Sequence, residues 1–144
     1  MLASTAQFQP RLDRVLILVV EDHADSRELL HRFLESVGAQ VLPARDGIEA
    51  MGILETHTPD IVLSDIRMPR MDGVQLAQRV KNDQRWARIP MIAVTAYNTA
   101  ADLRETFEAG FDGHLEKPFN FDVLLTTVQR LVKPKRRRRP RGPR

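Results

Sequence analysis

Cysteine is absent from this 144-residue chain, tryptophan and tyrosine occur once each, and the longest strongly apolar run is VLILVV, Val15 to Val20. Each shortage excludes something. Without thiols there is neither a disulfide framework nor a thiolate metal site, which suits a reducing compartment. The apolar run is far too short to span a bilayer, which takes roughly 20 residues. The opening MLASTAQFQPRLD has no apolar stretch of signal-peptide length and no basic residue ahead of one, so the expected location is cytoplasmic. A chain of this length fits one domain with a real core.

Charge of one sign is missing from residues 133–144. The segment KPKRRRRPRGPR holds eight basic residues and no acidic one, leaving residues 1–132 with 14 basic against 19 acidic residues, a net of −5. The high isoelectric point therefore belongs to the segment, while the body is acidic. Rich in proline and charge, 133–144 reads as a disordered tail. Its other reading is an electrostatic anchor for nucleic acid or an anionic surface, with salt-sensitive affinity. No aromatic residue is interleaved, which disfavours base stacking.

What is present is an alternation. The β-branched run from Arg14 to Val20 reads as a buried strand. In DSRELLHRFLESVG the apolar Leu29, Leu30, Phe33, Leu34 and Val37 recur at helical spacing, with Asp25 and Glu28 as a capping box and Gly38 as a stop. AQVLPA, DIVLSD, PMIAVTA and GHLE read as four further strands. Helices over DGIEAMGILETH, GVQLAQRVKND, AADLRETFEAG and FDVLLTTVQRLV follow them in turn. Five β-α units predict an α/β fold with a parallel five-stranded sheet and helices on both faces. The organisation expected is a polar lead-in over 1–12, a domain over 13–132 and the basic tail over 133–144. Trp86 is expected over the loop after the third helix, and Met51, Met68 and Met71 as gap fillers. His23, His31 and His57 show no metal-ligand spacing and read as surface residues.

Ligands of open α/β sheets sit beyond the carboxyl ends of the strands. Those ends carry Glu21 and Asp22, then Asp65, Thr95, and finally Glu116 and Lys117 followed by Pro118. Converging carboxylates repel unless a cation lies among them. A hard oxygen-seeking ion such as Mg²⁺, which takes one or two carboxylates and keeps waters, meets that need. A carboxylate can also act as nucleophile toward a phosphoryl group, with a lysine ammonium neutralising the transferred oxygens and a threonine hydroxyl binding one of them.

VVEDH (Val19 to His23), SDIRMPRMDG (Ser64 to Gly73), VTAY (Val94 to Tyr97) and EKPFN (Glu116 to Asn120) together resemble the four signatures of the receiver domain of two-component response regulators. The resemblance covers about residues 13–132, in order and with the expected spacing. It implies a doubly wound, flavodoxin-like (βα)5 sheet of order 2-1-3-4-5. It implies phosphorylation of Asp65 by a sensor histidine kinase or phosphotransfer protein, with self-catalysed transfer and slow autodephosphorylation. Mg²⁺ would be held by Asp22, Asp65 and the backbone carbonyl of Arg67, with Glu21 acting through water. Lys117 would pair with the phosphoryl group through a loop whose Lys117–Pro118 peptide is cis, and Thr95 would turn inward on activation. Tyr97 and Arg67 would border the site and tune phosphoryl lifetime. His114 stands where the family often has a rotating aromatic switch, so a pH-dependent response is expected there. The resemblance further implies a downstream protein target reading the last two helices, and it leaves open whether the chain is a monomer or a homodimer through the same face.

Three rival readings are discriminated by particular residues. A phosphohydrolase of the haloacid dehalogenase type needs a second aspartate two residues after the first, where this chain has Arg67. A receiver-like binding module that is not phosphorylated is opposed by the full set of acidic, threonine and lysine positions. A constitutive nucleic-acid protein would bind as well through the basic segment alone.

Overall fold

The computed structural model describes residues 11–96 and 99–132. Ten elements alternate: β1 (Leu16–Val20), α1 (Ala24–Ser36), β2 (Gln40–Ala44), α2 (Gly47–Thr56), β3 (Ile61–Asp65), α3 (Gly73–Lys81), β4 (Met91–Thr95), α4 (Ala100–Ala109), β5 (Gly113–Glu116) and α5 (Phe121–Leu131). The strands form one parallel sheet of order β2-β1-β3-β4-β5, as the alternation predicts. β1 lies between β2 and β3, inside the sheet, and its sequence is accordingly apolar throughout. β3 and β4 are buried along their full length, because helices cover both faces of a parallel sheet. β2 is an edge strand and partly exposed, and it alone tolerates a proline, Pro43, at a central position.

Side chains alternate across the sheet into two cores. Leu18, Val20, Val62, Met91 and Ala93 point toward α2, α3 and α4, where Leu54, Leu76, Val80 and Phe111 meet them. Ile17, Val19, Leu63, Ile92, Val94 and Leu115 point toward α1 and α5, against Leu34, Leu124 and Val128. Each fully buried aliphatic side chain contributes roughly 1.5–3 kcal/mol relative to exposure. Trp86 joins the first core and is only 4% exposed, so it is a core residue rather than a cover for a loop.

Several helix starts differ from expectation. α1 begins at Ala24, with His23 at the N-cap and no side-chain cap bond, so Asp25 lies in the first turn and forms no capping box. Leu29, expected on the apolar face, is 57% exposed. Capping boxes occur instead at α3, through Asp72 and Gln75, and at α4, through Thr99 and Asp102. Gly110 ends α4 at φ +116°, a left-handed conformation that favours glycine. None of the helices among the described residues is long and apolar enough to cross a membrane.

Candidate functional site

Parallel strands deliver every carboxyl end to one edge of the sheet, and there the predicted polar residues meet. β1 runs straight into Glu21, whose amide donates to Ala44 O at 3.0 Å. The Glu21 side chain is only 2% exposed. Its Oε1 accepts from Lys117 Nζ at 2.9 Å and its Oε2 from the His23 amide at 3.1 Å. Lys117 Nζ also reaches Asp65 Oδ2 at 3.3 Å, so one ammonium bridges carboxylates from the ends of β1 and β3. The Lys117 amide donates to Thr95 O at 2.9 Å, which ties the loop after β5 to β4. The Lys117–Pro118 peptide bond is cis.

Burial pushes the Glu21 carboxyl above its ordinary range, and the neighbouring Asp65 charge adds to the rise; Lys117 and the His23 amide pull the other way without cancelling it. For Lys117, burial favours the neutral amine, but the hydrogen bond to Glu21 and the field of Asp65 outweigh it and raise its pKa. The ammonium is thus fixed as a cation between two acids.

Asp22 completes the acidic group. Its Oδ1 is buried and has no hydrogen-bond partner among the described residues, and the His23 ring Nδ1 lies 3.5 Å from it. Ligand atoms of Glu21, Asp22 and His23 lie within 4.8 Å of one another. A buried carboxylate oxygen left unpaired is costly, and such an oxygen beside a second carboxylate is what a hard divalent cation takes as a ligand. The residues present therefore fit Mg²⁺. Asp65 is not within that close trio; it is held toward Lys117, and its Oδ1 accepts weakly from the Arg67 amide at 3.4 Å.

The remaining predicted residues are distributed around this centre. Thr95 is buried at the end of β4, in register with Glu116 of β5. Glu116 is exposed and Pro118 is exposed beside Lys117. His114 sits half-buried in β5 opposite Ala93, and its Nε2 has no hydrogen-bond partner among the described residues. Tyr97 lies outside the described residues, as does the basic segment 133–144.

Two contributors were not expected. Arg27 Nη1 donates to Glu21 O at 2.8 Å and so fixes the loop that carries both acids. A cation near a helix N-terminus opposes the helix dipole, and that anomaly is a sequence signal for it. His23 is exposed, as its reading as a surface residue has it, and places its ring against Asp22. Gly73, at the start of α3, packs so closely that a Cβ there would come within 2.2 Å of Asp65 O; the glycine lets α3 sit against the end of β3. Beside the acids lies a groove of about 480 Å³ lined by Leu29, Leu30, Lys117, Phe119 and Phe121 among others. Phe121 stacks on Phe33 at 4.3 Å, and Phe119 meets Phe121 edge-on.

Comparison with known proteins accords with this geometry. A family profile described as "Response regulator receiver domain" matches residues 17–129. The sensor histidine kinase RcsC of Salmonella typhimurium is 42% identical over 116 residues, 81% of this chain but only 12% of that protein. An uncharacterised 14.6 kDa protein of Leptolyngbya boryana is 40% identical over 113 residues, covering 78% of this chain and 86% of that one. Among solved structures, the receiver domain of sensor histidine kinase PA1611 from Pseudomonas aeruginosa, described with a magnesium ion coordinated in its active-site cleft, superposes with a TM-score of 0.78 at 31% identity, over 83% of this chain and 98% of that one. The chemotaxis response regulator CheY4 of Vibrio cholerae gives 0.78 at 30% identity, over 82% and 98%.

Proposed function

The chain belongs to the response regulator receiver family, and on that premise we propose that residues 13–132 form a phosphorylatable switch with Asp65 as its phosphoacceptor. The single observation that carries the reading is the bridge made by Lys117 between Glu21 and Asp65 at the strand ends. The donor is the phosphohistidine of a sensor histidine kinase or phosphotransfer protein. An Asp65 carboxylate oxygen bonds to phosphorus as the P–N bond of a phosphohistidine protonated on its other ring nitrogen breaks, giving an acyl phosphate and a neutral imidazole. Asp22, Asp65 and the carbonyl of Arg67 would hold Mg²⁺, and Glu21, whose two oxygens accept from Lys117 and the His23 amide, would act on the ion less directly. The bound ion supplies neutralisation of charge on the phosphoryl oxygens.

Lys117 follows the transferred group by exchanging part of its hold on Asp65 for a phosphoryl oxygen, while Glu21 keeps it in place. The Thr95 hydroxyl, at the end of the next strand, binds a second oxygen. The apolar groove beside the acids gives the donor protein a surface to bury as its histidine approaches. Tyr97 and Arg67 border the phosphoryl group. His114 answers the resulting shift of Thr95, with the face of α4, β5 and α5 read by a downstream protein or a second copy of the chain.

The test is intact-protein mass after incubation with acetyl phosphate, with and without Mg²⁺, on the wild type and Asp65→Asn. The expected gain is one phosphoryl group that requires both the ion and Asp65. Absence of any gain in folded protein would make a binding-only module the better account.

A further inference from the structure

Residues 66–72 join β3 to α3 and carry Arg67, whose carbonyl is among the proposed ion ligands. The backbone closes this connection on itself through Gly73 N, which donates to Ile66 O at 2.9 Å, and ties it to α2 through Gly47 N, which donates to Met71 O at 3.1 Å. Within it, Arg70 stands in the left-handed region at φ +66°. Few residues with a side chain adopt that conformation, and it persists where the surroundings hold it. Asp46, at the N-cap of α2, is the holder. Its buried carboxylate divides its oxygens: Oδ1 accepts from the Glu49 amide at 2.8 Å, while Oδ2 accepts from Arg70 Nε at 3.0 Å and from Arg70 Nη2 as well. Two nitrogens of a planar guanidinium on one oxygen fix the side chain in direction as well as distance. Pro69 precedes Arg70, and its fixed φ removes one of the few dihedrals that could absorb a movement of Arg70 before it reaches Arg67.

We infer, resting on the ligand set proposed above, that Arg70 and Asp46 are positioning residues for the ion: their pair holds the β3–α3 connection against α2 and so sets the Arg67 carbonyl for Mg²⁺. A ligand carried on a loop that is free to move loses affinity to the ordering it requires, and groups that orient metal ligands matter for that reason. Capping α2 needs only the Asp46 carboxylate and the Glu49 amide. The guanidinium arriving from 24 residues further along the chain adds nothing to that cap and instead ties the helix to the site. An ion pair between exposed groups would be too weak for such a task, but here one partner is buried and anchored by its other oxygen. α2 supplies none of the site's acids, yet through this pair it has a hold on the metal centre.

The test is a Mg²⁺ titration of the full chain followed by NMR at the Met68 amide, whose nitrogen shares a peptide group with the Arg67 carbonyl and feels its polarisation. Arg70→Gly keeps the left-handed turn without steric cost and removes the pair. Asp46→Asn keeps the cap, since asparagine caps as well as aspartate, and removes the charge that Arg70 meets. Each should weaken Mg²⁺ binding about tenfold, the lower end of the loss for groups that orient metal ligands. The double variant should lose no more than either single one, because both break the same contact, and Arg70→Lys, which keeps the charge, should recover part of the affinity. Titration well below each variant's melting temperature leaves the binding constant untouched by stability alone. Wild-type affinity in both single variants, or losses that add in the double variant, would overturn the inference. Asp22→Asn separates this from the ligand set itself: if that variant binds Mg²⁺ as the wild type does, the ligand set fails and the positioning role with it, whereas weakened binding there beside wild-type affinity in both pair variants sinks the positioning role alone.

Discussion

At the scale of single residues, the sharpest contrasts lie between acids that the chain satisfies and one that it does not. Asp46 caps α2, accepting from the Glu49 amide at 2.8 Å and from Arg70 Nε at 3.0 Å. Burial alone would raise its pKa, but the Glu49 amide and the Arg70 guanidinium outweigh burial and hold it below the ordinary 3.8. A depressed carboxyl contributes stability above its unfolded value and loses it as pH falls through the folded one. Asp46→Ala should therefore cost about 1–2 kcal/mol at neutral pH, with the gap to wild type closing below pH 3.8. Urea denaturation from pH 7 downward measures this, and a gap independent of pH would contradict it. Asp22 is the opposite case, since its buried Oδ1 waits for a partner. Asp22→Asn should lower Mg²⁺ affinity by at least about tenfold, the span seen even for groups outside the ligand shell, while leaving thermal stability in the absence of the ion unchanged or higher. Calorimetric titration with Mg²⁺ and a melt in chelator separate the two effects.

At the scale of elements, the fold was legible because each strand and helix announces itself locally. Val15 to Val20 and Ile61 to Leu63 are β-branched or apolar runs, and a helix follows each strand after a short connection, two residues after β2 and seven at most, after β3. The start of α1 was not legible. Asp25 and Glu28 carry the right residue types for a capping box, but the helix begins two residues earlier, on the uncapped His23, so Asp25 falls inside the first turn. Leu29 misled for a related reason: its helical spacing is that of a core residue, yet it faces the groove beside the site. The site acids and Lys117 could be named from strand ends alone, whereas Arg27 could not be tied to Glu21 without the fold. Gly73 joins the two levels. Its missing Cβ lets α3 close on the Asp65 carbonyl and the Ile66 Cα, both backbone atoms that cannot move aside. Gly73→Ala should destabilise the protein by about 2 kcal/mol or more and shift the end of β3. Denaturation, together with amide chemical shifts at Asp65 and Arg67, reads both; a silent variant would mean that α3 re-seats freely.

At the scale of the whole molecule, one sheet separates two cores and its edges are unequal. β1, β3 and β4 are paired on both sides, β2 and β5 on one. Native-state hydrogen exchange should therefore be slowest at Ile17 to Val20, Val62 to Ser64 and Ile92 to Val94, and faster in β2 by an amount that grows toward Gln40. Equal protection of β2 would place the cooperative unit elsewhere.

The bridge from Lys117 to Glu21 spans 96 residues of sequence, and that to Asp65 spans 52. A ribosome emits the acids first and their counter-ion last. Until β5 has left the exit tunnel, a nascent chain that closed β1 onto β3 would bury Glu21 with no ammonium to meet it, at a cost of several kcal/mol. Closing the early strands into a finished sheet is thereby disfavoured until Lys117 can join them, so the candidate site and the pairing of its acids are completed together.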